Sequence, residues 1–266
     1  MKNNFFYEYS EFTKNIVKYY YFIFQIFRQN LITTYCQSFL SLFWLLINPL
    51  FQMLLFIFLR KNSIITGNTE YLPYPLYIFL SLILWQTFAG IIRGSCNILE
   101  RYGNLKTLSF SRKALIYGNA MVSLFITCFM LCIFIILSLL LNVPPSIGIL
   151  GIPGIVLFII LYALGIAKII AIFSAVTRDV IEGLTVFLMF LMFVTPAIYT
   201  EFSKYDKAIE LVNPLHVFIK TAHLFWSGHF QAIPAIFYWH CFFAVIMFFL
   251  GSYFFRKTIH IALERI

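Results

Sequence analysis

Residues 148–176 read GILGIPGIVLFIILYALGIAKIIAIFSAV, a stretch that is apolar on every side of a helical wheel and carries one charge, Lys168. At 1.5 Å per residue it is long enough to cross a hydrocarbon core of about 30 Å. Further stretches of the same kind lie at 38–59, 75–98, 115–141, 181–199 and 235–255. The Gly and Pro residues inside them are tolerated by membrane helices. The chain of 266 residues is 62% hydrophobic and 11% charged, against roughly 25% charged for a soluble domain, so lipid must solvate most of its surface. The expectation is an all-α membrane protein with six transmembrane helices in a single domain, 1–266.

The segment before the first of these stretches has a different pattern. From about residue 8 to 35, Glu11, Lys14, Asn15, Lys18, Gln25, Arg28 and Gln29 share one side of a helical wheel, while Phe12, Ile16, Tyr19, Tyr20, Ile23, Phe24, Phe27 and Leu31 fill the other. That predicts an amphipathic helix within 1–36 lying in the membrane interface, ahead of a six-span unit over 37–266. The alternative is a seventh span, which Lys14, Lys18 and Arg28 oppose. With Glu8 and Glu11 and no cleavable-signal pattern at the N-terminus, the first span is expected to direct insertion.

The net charge of +9 would suggest nucleic acid in a soluble protein, but here it orients the chain. Six spans put both termini on one side. Lys2, Lys14, Lys18, Arg28, Arg101, Lys106, Arg112, Lys113, Arg178, Arg256, Lys257 and Arg265 fall on that side, against Arg60, Lys61, Lys204, Lys207 and Lys220 on the other. The heavier side is cytosolic by the positive-inside rule, giving a multi-pass protein of the cytoplasmic (inner) membrane with cytosolic termini and no nucleic-acid partner. Cys36, Cys96, Cys128, Cys132 and Cys241 form no CxxC or CxxH pair and read as small apolar packers.

Two connections stand apart. The cytosolic stretch Glu100–Lys113 is short and dense in charge, as a docking element would be. The outer segment Thr200–Pro234 is long, holds Asn213-Pro214, His216, Trp226 and Gly228, and is amphipathic enough to fold back on the membrane as re-entrant helices before the last span.

The sequence also restricts the energy source. There is no GxxxxGK[ST] phosphate cradle, and Glu70, Glu100, Asp179 and Glu182 all sit at span ends, where they cannot relay protons or sodium through mid-membrane. A transporter of this kind must be driven by another subunit. His216, His223 and His229 are the only candidates for a transferase centre or a metal site in the outer segment. They lack an acidic partner at ligand spacing and read as surface or interface residues, so neither a catalytic group nor a metal is assigned.

Several motifs then occur in order along almost the whole chain. Thr34-Tyr35-Cys36-Gln37-Ser38-Phe39-Leu40 runs through Trp44 to Asn48-Pro49-Leu50. Tyr74-Pro75-Leu76 is followed by Trp85, Asn104-Leu105 by Phe110 and Arg112, and Arg178-Asp179 by Pro196 and Asn213-Pro214. This series resembles the ABC type 2 export permeases, the transmembrane subunits that serve O-antigen, capsular polysaccharide and teichoic acid exporters. Thr34, Ser41 and Ser111 depart from it, standing where the family usually has Arg, Gly and Pro. The resemblance implies a non-enzymatic permease, paired with a second copy of itself and with two ABC ATPase subunits that hold ATP and magnesium. It would pass an undecaprenyl-linked glycan through the membrane. A permease for a small lipid or drug, and a membrane-embedded transferase or assembly subunit, are the alternatives.

The same resemblance makes Arg101, Asn104, Lys106 and Arg112 a coupling loop for the ATPase, with Arg178 and Asp179 as a second contact; the bland alternative is a positive-inside anchor. Tyr35, Trp44 and Trp85, as motif aromatics, are candidates for the substrate path. Lys168 lies inside the bilayer, where a charge costs roughly 2.5–3.5 kcal/mol on insertion scales. Either it attracts the pyrophosphate of a lipid-linked substrate, with Arg93 as helper, or it makes a packing bond to a carbonyl or hydroxyl of another helix.

Overall fold

The computed structural model describes residues 19–33, 39–63, 72–96, 112–177, 179–195 and 206–264, with the side-chain surroundings of 39–42, 45, 46, 206 and 260–264 excepted. Among them the chain is helical: α1 (19–31), α2 (Phe39–Lys61), α3 (Tyr74–Cys96), α4 (Arg112–Leu140), α5 (Ile152–Val176), α6 (Asp179–Val194), α7 (Asp206–Val212), α8 (Pro214–Ser227) and α9 (Ile236–Glu264). Short 3-10 turns, Ile147–Gly151 and Phe230–Ala232, precede α5 and α9. Four segments are long and apolar enough to cross a membrane: Tyr74–Cys96, Arg112–Leu140, Ile147–Val176 and Ile236–Ile259. Each coincides with a stretch expected from sequence. The last helix runs further than the expected 255, to Glu264, and carries Arg256 and Lys257 within it.

α3 is the hub. Leu76, Ile78, Phe79, Leu80, Leu82, Leu84 and Ile91 are fully buried although they lie on several sides of the helix, because α2, α4, α5 and α8 surround it. Small and hydroxylic side chains let α4 approach closely, as they do between membrane helices generally. Thr87 Oγ1 and Thr127 Oγ1 are 2.5 Å apart, Asn119 Nδ2 donates to the Ile91 carbonyl at 3.3 Å, and a Cβ on Gly94 would collide with the Asn119 side chain.

The α5–α9 pair is closer still. A Cβ on Gly165 would run into the Met247 carbonyl, and one on Gly251 into the Gly165 carbonyl, so the two backbones touch. By contrast α6 is peripheral. Only Leu184 and Leu188 are buried in it, while Val186, Phe187, Met189, Phe190 and Phe193 face outward. α1 packs on α4, with Ile23 and Ile26 buried over Gly118 and Phe27 against Phe125. Of the expected apolar face, Ile23 and Phe27 meet α4 while Tyr20 and Phe24 are exposed, and Ile26 joins the contact with protein.

Candidate functional site

The two ends of the bundle differ in chemistry. One end gathers the C-termini of α3, α5 and α9 with the N-termini of α4 and α6. Ser174 Oγ near the end of α5 donates to the Cys96 carbonyl at 2.7 Å, and Phe173 stacks on Phe254. Arg93, Arg112, Lys113, Arg256 and Lys257 collect there, with Lys113 and Arg256 near enough to repel each other. Arg112 opens α4 half-buried, Asp179 opens α6 exposed, and Arg93 is exposed on the last turn of α3. Arg101, Asn104, Lys106 and Arg178 lie outside the described residues, as does Tyr35.

Above this end, Lys168 is fully buried. Its Nζ donates to Ser252 Oγ at 2.7 Å and lies 3.7 Å from the Phe248 ring centroid and 4.9 Å from that of Tyr117. The Ser252 hydroxyl in turn donates to the Phe248 carbonyl at 2.7 Å. Of the two readings of this lysine, the geometry is that of the packing bond: the ammonium is enclosed by α4 and α9, one turn from the Gly165–Gly251 contact. Trp85 is buried in the core against Phe88, whereas Trp44 is 53% exposed on α2. The structure does not bring the two motif tryptophans to one surface.

The opposite end is built by the α7–α8 hairpin. Asn213 caps α8 by accepting from the N–H groups of Leu215 and His216 and donates its Nδ2 to Thr195 Oγ1 at 3.0 Å, while Pro214 supplies a first helical turn that needs no donor. Gly228 closes the helix with φ of 81°, a left-handed position that glycine adopts without strain. Lys220 pairs with Glu210 across the hairpin at 2.5 Å.

α8 is packed inside the bundle. Val217, Phe218, Ile219 and Ala222 are fully buried, and Trp226 meets the Phe134 ring edge-on at 4.5 Å. This corrects the expectation for two of the three histidines, since His216 and His223 are both buried rather than at a surface, while His229 is exposed. His223 stacks on Tyr77 at 4.0 Å, and its Nε2 is 3.1 Å from both the Tyr77 carbonyl and Ser81 Oγ. With the proton on Nε2 the ring donates to both, and Ser81 donates to the same carbonyl at 2.9 Å. Burial pushes the imidazole down to about 3, against the opposing effect of the Tyr77 bond, so it stays neutral. Ser146 adds a second tie, donating to the Phe225 carbonyl at 2.6 Å. The cysteines also depart in part from the packing expectation: Cys96 is buried, but Cys128 and Cys132 are exposed on α4.

Between the hairpin, α3, α5 and α6 lies an apolar cleft of about 530 Å³, with Phe88, Tyr162, Leu188, Val212 and Pro214 among its walls. A second, of about 370 Å³, lies across Val212 and Pro214 against Trp239 and Phe243 of α9. An aromatic row joins their floors: Phe88 stacks on Tyr162 at 5.6 Å and Tyr162 leans on Phe243 at 6.0 Å. Sequence reasoning missed both clefts, because their walls come from six helices and no motif marks them.

The chain matches no protein-family model and no curated protein.

Proposed function

We propose that this chain is the pore-forming permease subunit of an exporter driven by a separate ATPase, and that it works as a homodimer passing a lipid-linked polysaccharide across the cytoplasmic membrane. The observation that carries the reading is where the charges stand in the described spans. The basic groups Arg93, Arg112, Lys113, Arg256 and Lys257 gather at the end from which the 97–111 and 178 connections leave, against Arg60, Lys61, Lys207 and Lys220 at the other, while Asp179 and Glu182 at the start of α6, Asp206 and Glu210 in the hairpin and Glu264 at the end of α9 leave no carboxylate in the body of a described span. A carrier coupled to protons or sodium would need one there. The order of motifs supplies the family and the glycan. In this reading α2 and α6 complete six spans, α1 lies in the interface, the basic end is cytosolic and docks the ATPases, and α7–α8 re-enter the membrane on the outer side as a cap.

The test is purification from native membranes under mild detergent. The expected result is a stable complex with an ABC ATPase at one ATPase per permease, with hydrolysis lost once the partner is stripped away. Robust ATP hydrolysis by the partner-free chain would sink the pore-subunit reading. Within the complex, reversing charge at Arg101, Lys106 and Arg112 together should reduce ATPase retention while leaving membrane insertion intact.

A further inference from the structure

We propose that the larger cleft is a binding site for one acyl chain of a bilayer phospholipid, lying parallel to the helices with its polar end beside α7. The cleft is elongated along the direction that lipid chains take in a bilayer. It follows α5 from Tyr162 to Ile170 and α6 from Leu184 to Val194, or about 12 and 15 Å at the helical rise. Its mouth opens on the surface that hydrocarbon covers, because Phe187 and Val212 line it and are also 57% and 79% exposed. At its outer end stands α7, where exposed Lys207 offers a partner to a headgroup phosphate.

The other occupants fit less well. An apolar cavity does not hold water, which needs two to four polar partners, and the side chains of the cleft wall offer only the Tyr162 hydroxyl and Asn213, whose amide is committed to the α8 cap and Thr195. A helix of a second copy, about 10–12 Å across, would need a groove as wide as itself. A single alkyl chain is narrow enough, and the bilayer supplies it at a concentration no solute reaches. Once seated, the chain fills the gap beneath Val212 and Pro214, so the hairpin rests partly on lipid.

The experiment uses the full chain in phosphatidylcholine nanodiscs doped with phosphatidylcholine carrying a diazirine near the end of one acyl chain. After irradiation, adducts are mapped by peptide mass spectrometry. Adducts are expected on cleft residues, buried Leu188 and half-buried Ile166 among them, as well as on exposed Phe249 and Leu250 of α9. Leu188→Trp should lower the Ile166 adducts about tenfold and leave those on α9 unchanged. Because Leu188 is itself buried, Ala208→Trp at the exposed mouth provides a second variant that fills the opening without disturbing the core, and the same loss is expected. Adducts confined to exposed residues, or cleft adducts that persist in both variants, would overturn the proposal. So would their removal by a few mole per cent of polyprenyl phosphate, which would give the site to an isoprenoid tail instead.

Discussion

Along the α5–α9 seam two backbones touch at Gly165 and Gly251, whereas elsewhere along α5 the helix α6 and the α7–α8 hairpin stand off from the same core and leave a cleft of about 530 Å³. The difference follows from side-chain size. Where glycines face each other, dispersion contacts between backbones replace the hydrophobic drive that lipid abolishes. Where Phe88, Tyr162 and Leu188 meet Val212 and Pro214, bulky groups with no interlocking partner hold the elements apart. A membrane protein can place rigidity and adaptability side by side in this way, the first from closeness and the second from a space that lipid fills.

The most severe way to break the comparison is to give the seam the bulk of the cleft. Gly251→Leu puts a branched side chain where even a Cβ collides with the Gly165 carbonyl, so the helices must separate along their whole contact. Overpacking typically costs about 1–3 kcal/mol, and more where backbone has to move. Gly251→Leu is expected to abolish the monodisperse peak in detergent size-exclusion chromatography, with Gly251→Ala intermediate in thermal stability. A leucine variant that melts with the wild type would show that the two helices are not held by backbone contact.

The spans were legible because an apolar run bounded by charges or turn residues has one physical interpretation in this composition. The limits expected at 75–98, 115–141 and 148–176 fall within a few residues of the observed helices. What those runs do not reveal is partnership. Gly165 and Gly251 are far apart in the chain, and nothing in either neighbourhood names the other. The hairpin was legible as short helices, since Asn213-Pro214 and Gly228 are cap signals, but its depth was not. An amphipathic helix with histidines reads as a surface element until Tyr77 and Ser81 of α3 are seen to satisfy His223. The coupling residues Arg101, Asn104, Lys106 and Arg178 rest on the resemblance alone.

The next test strikes the tie that holds the hairpin to the hub. His223→Leu removes the Nε2 bonds and the stacking on Tyr77, and a loss of about 1–3 kcal/mol is expected. The same residue sets a pH dependence whose sign is fixed. Its folded value is depressed to about 3, so the neutral ring is fully stabilising above the unfolded value near 6.5. Below that the unfolded chain binds the extra proton, and stability falls as pH drops toward 3 by at most about 1.4 kcal/mol per unit. Melting of the wild type in detergent should therefore decline below pH 6.5, and the slope should flatten in His223→Leu. An unchanged slope would mean that other groups carry it and that the imidazole is not held neutral.

The smallest expected effect is the most discriminating, because it separates the shape of Lys168 from its charge. The ammonium donates to Ser252 and faces the rings of Phe248 and Tyr117, beside the Gly165–Gly251 contact. A hydrogen bond between membrane helices contributes about 0.6 kcal/mol on average, and a cation–π contact about 0.5–2. Against these stands the roughly 2.5–3.5 kcal/mol cost of a charge at mid-membrane, so the two sides nearly cancel. Lys168→Met keeps the volume of the stem and removes the charge, and its stability should lie within about 1 kcal/mol of the wild type. Lys168→Ala leaves a void between α4, α5 and α9 and should cost about 2 kcal/mol or more. If methionine proves as damaging as alanine, the charge itself holds the seam, and closeness there is electrostatic rather than steric. If methionine leaves stability intact but glycan export by the complex falls tenfold or more, the lysine acts on the substrate during transport. The enclosed geometry beside Ser252 would then be only one of its states, and the α5–α9 seam would have to open for the other.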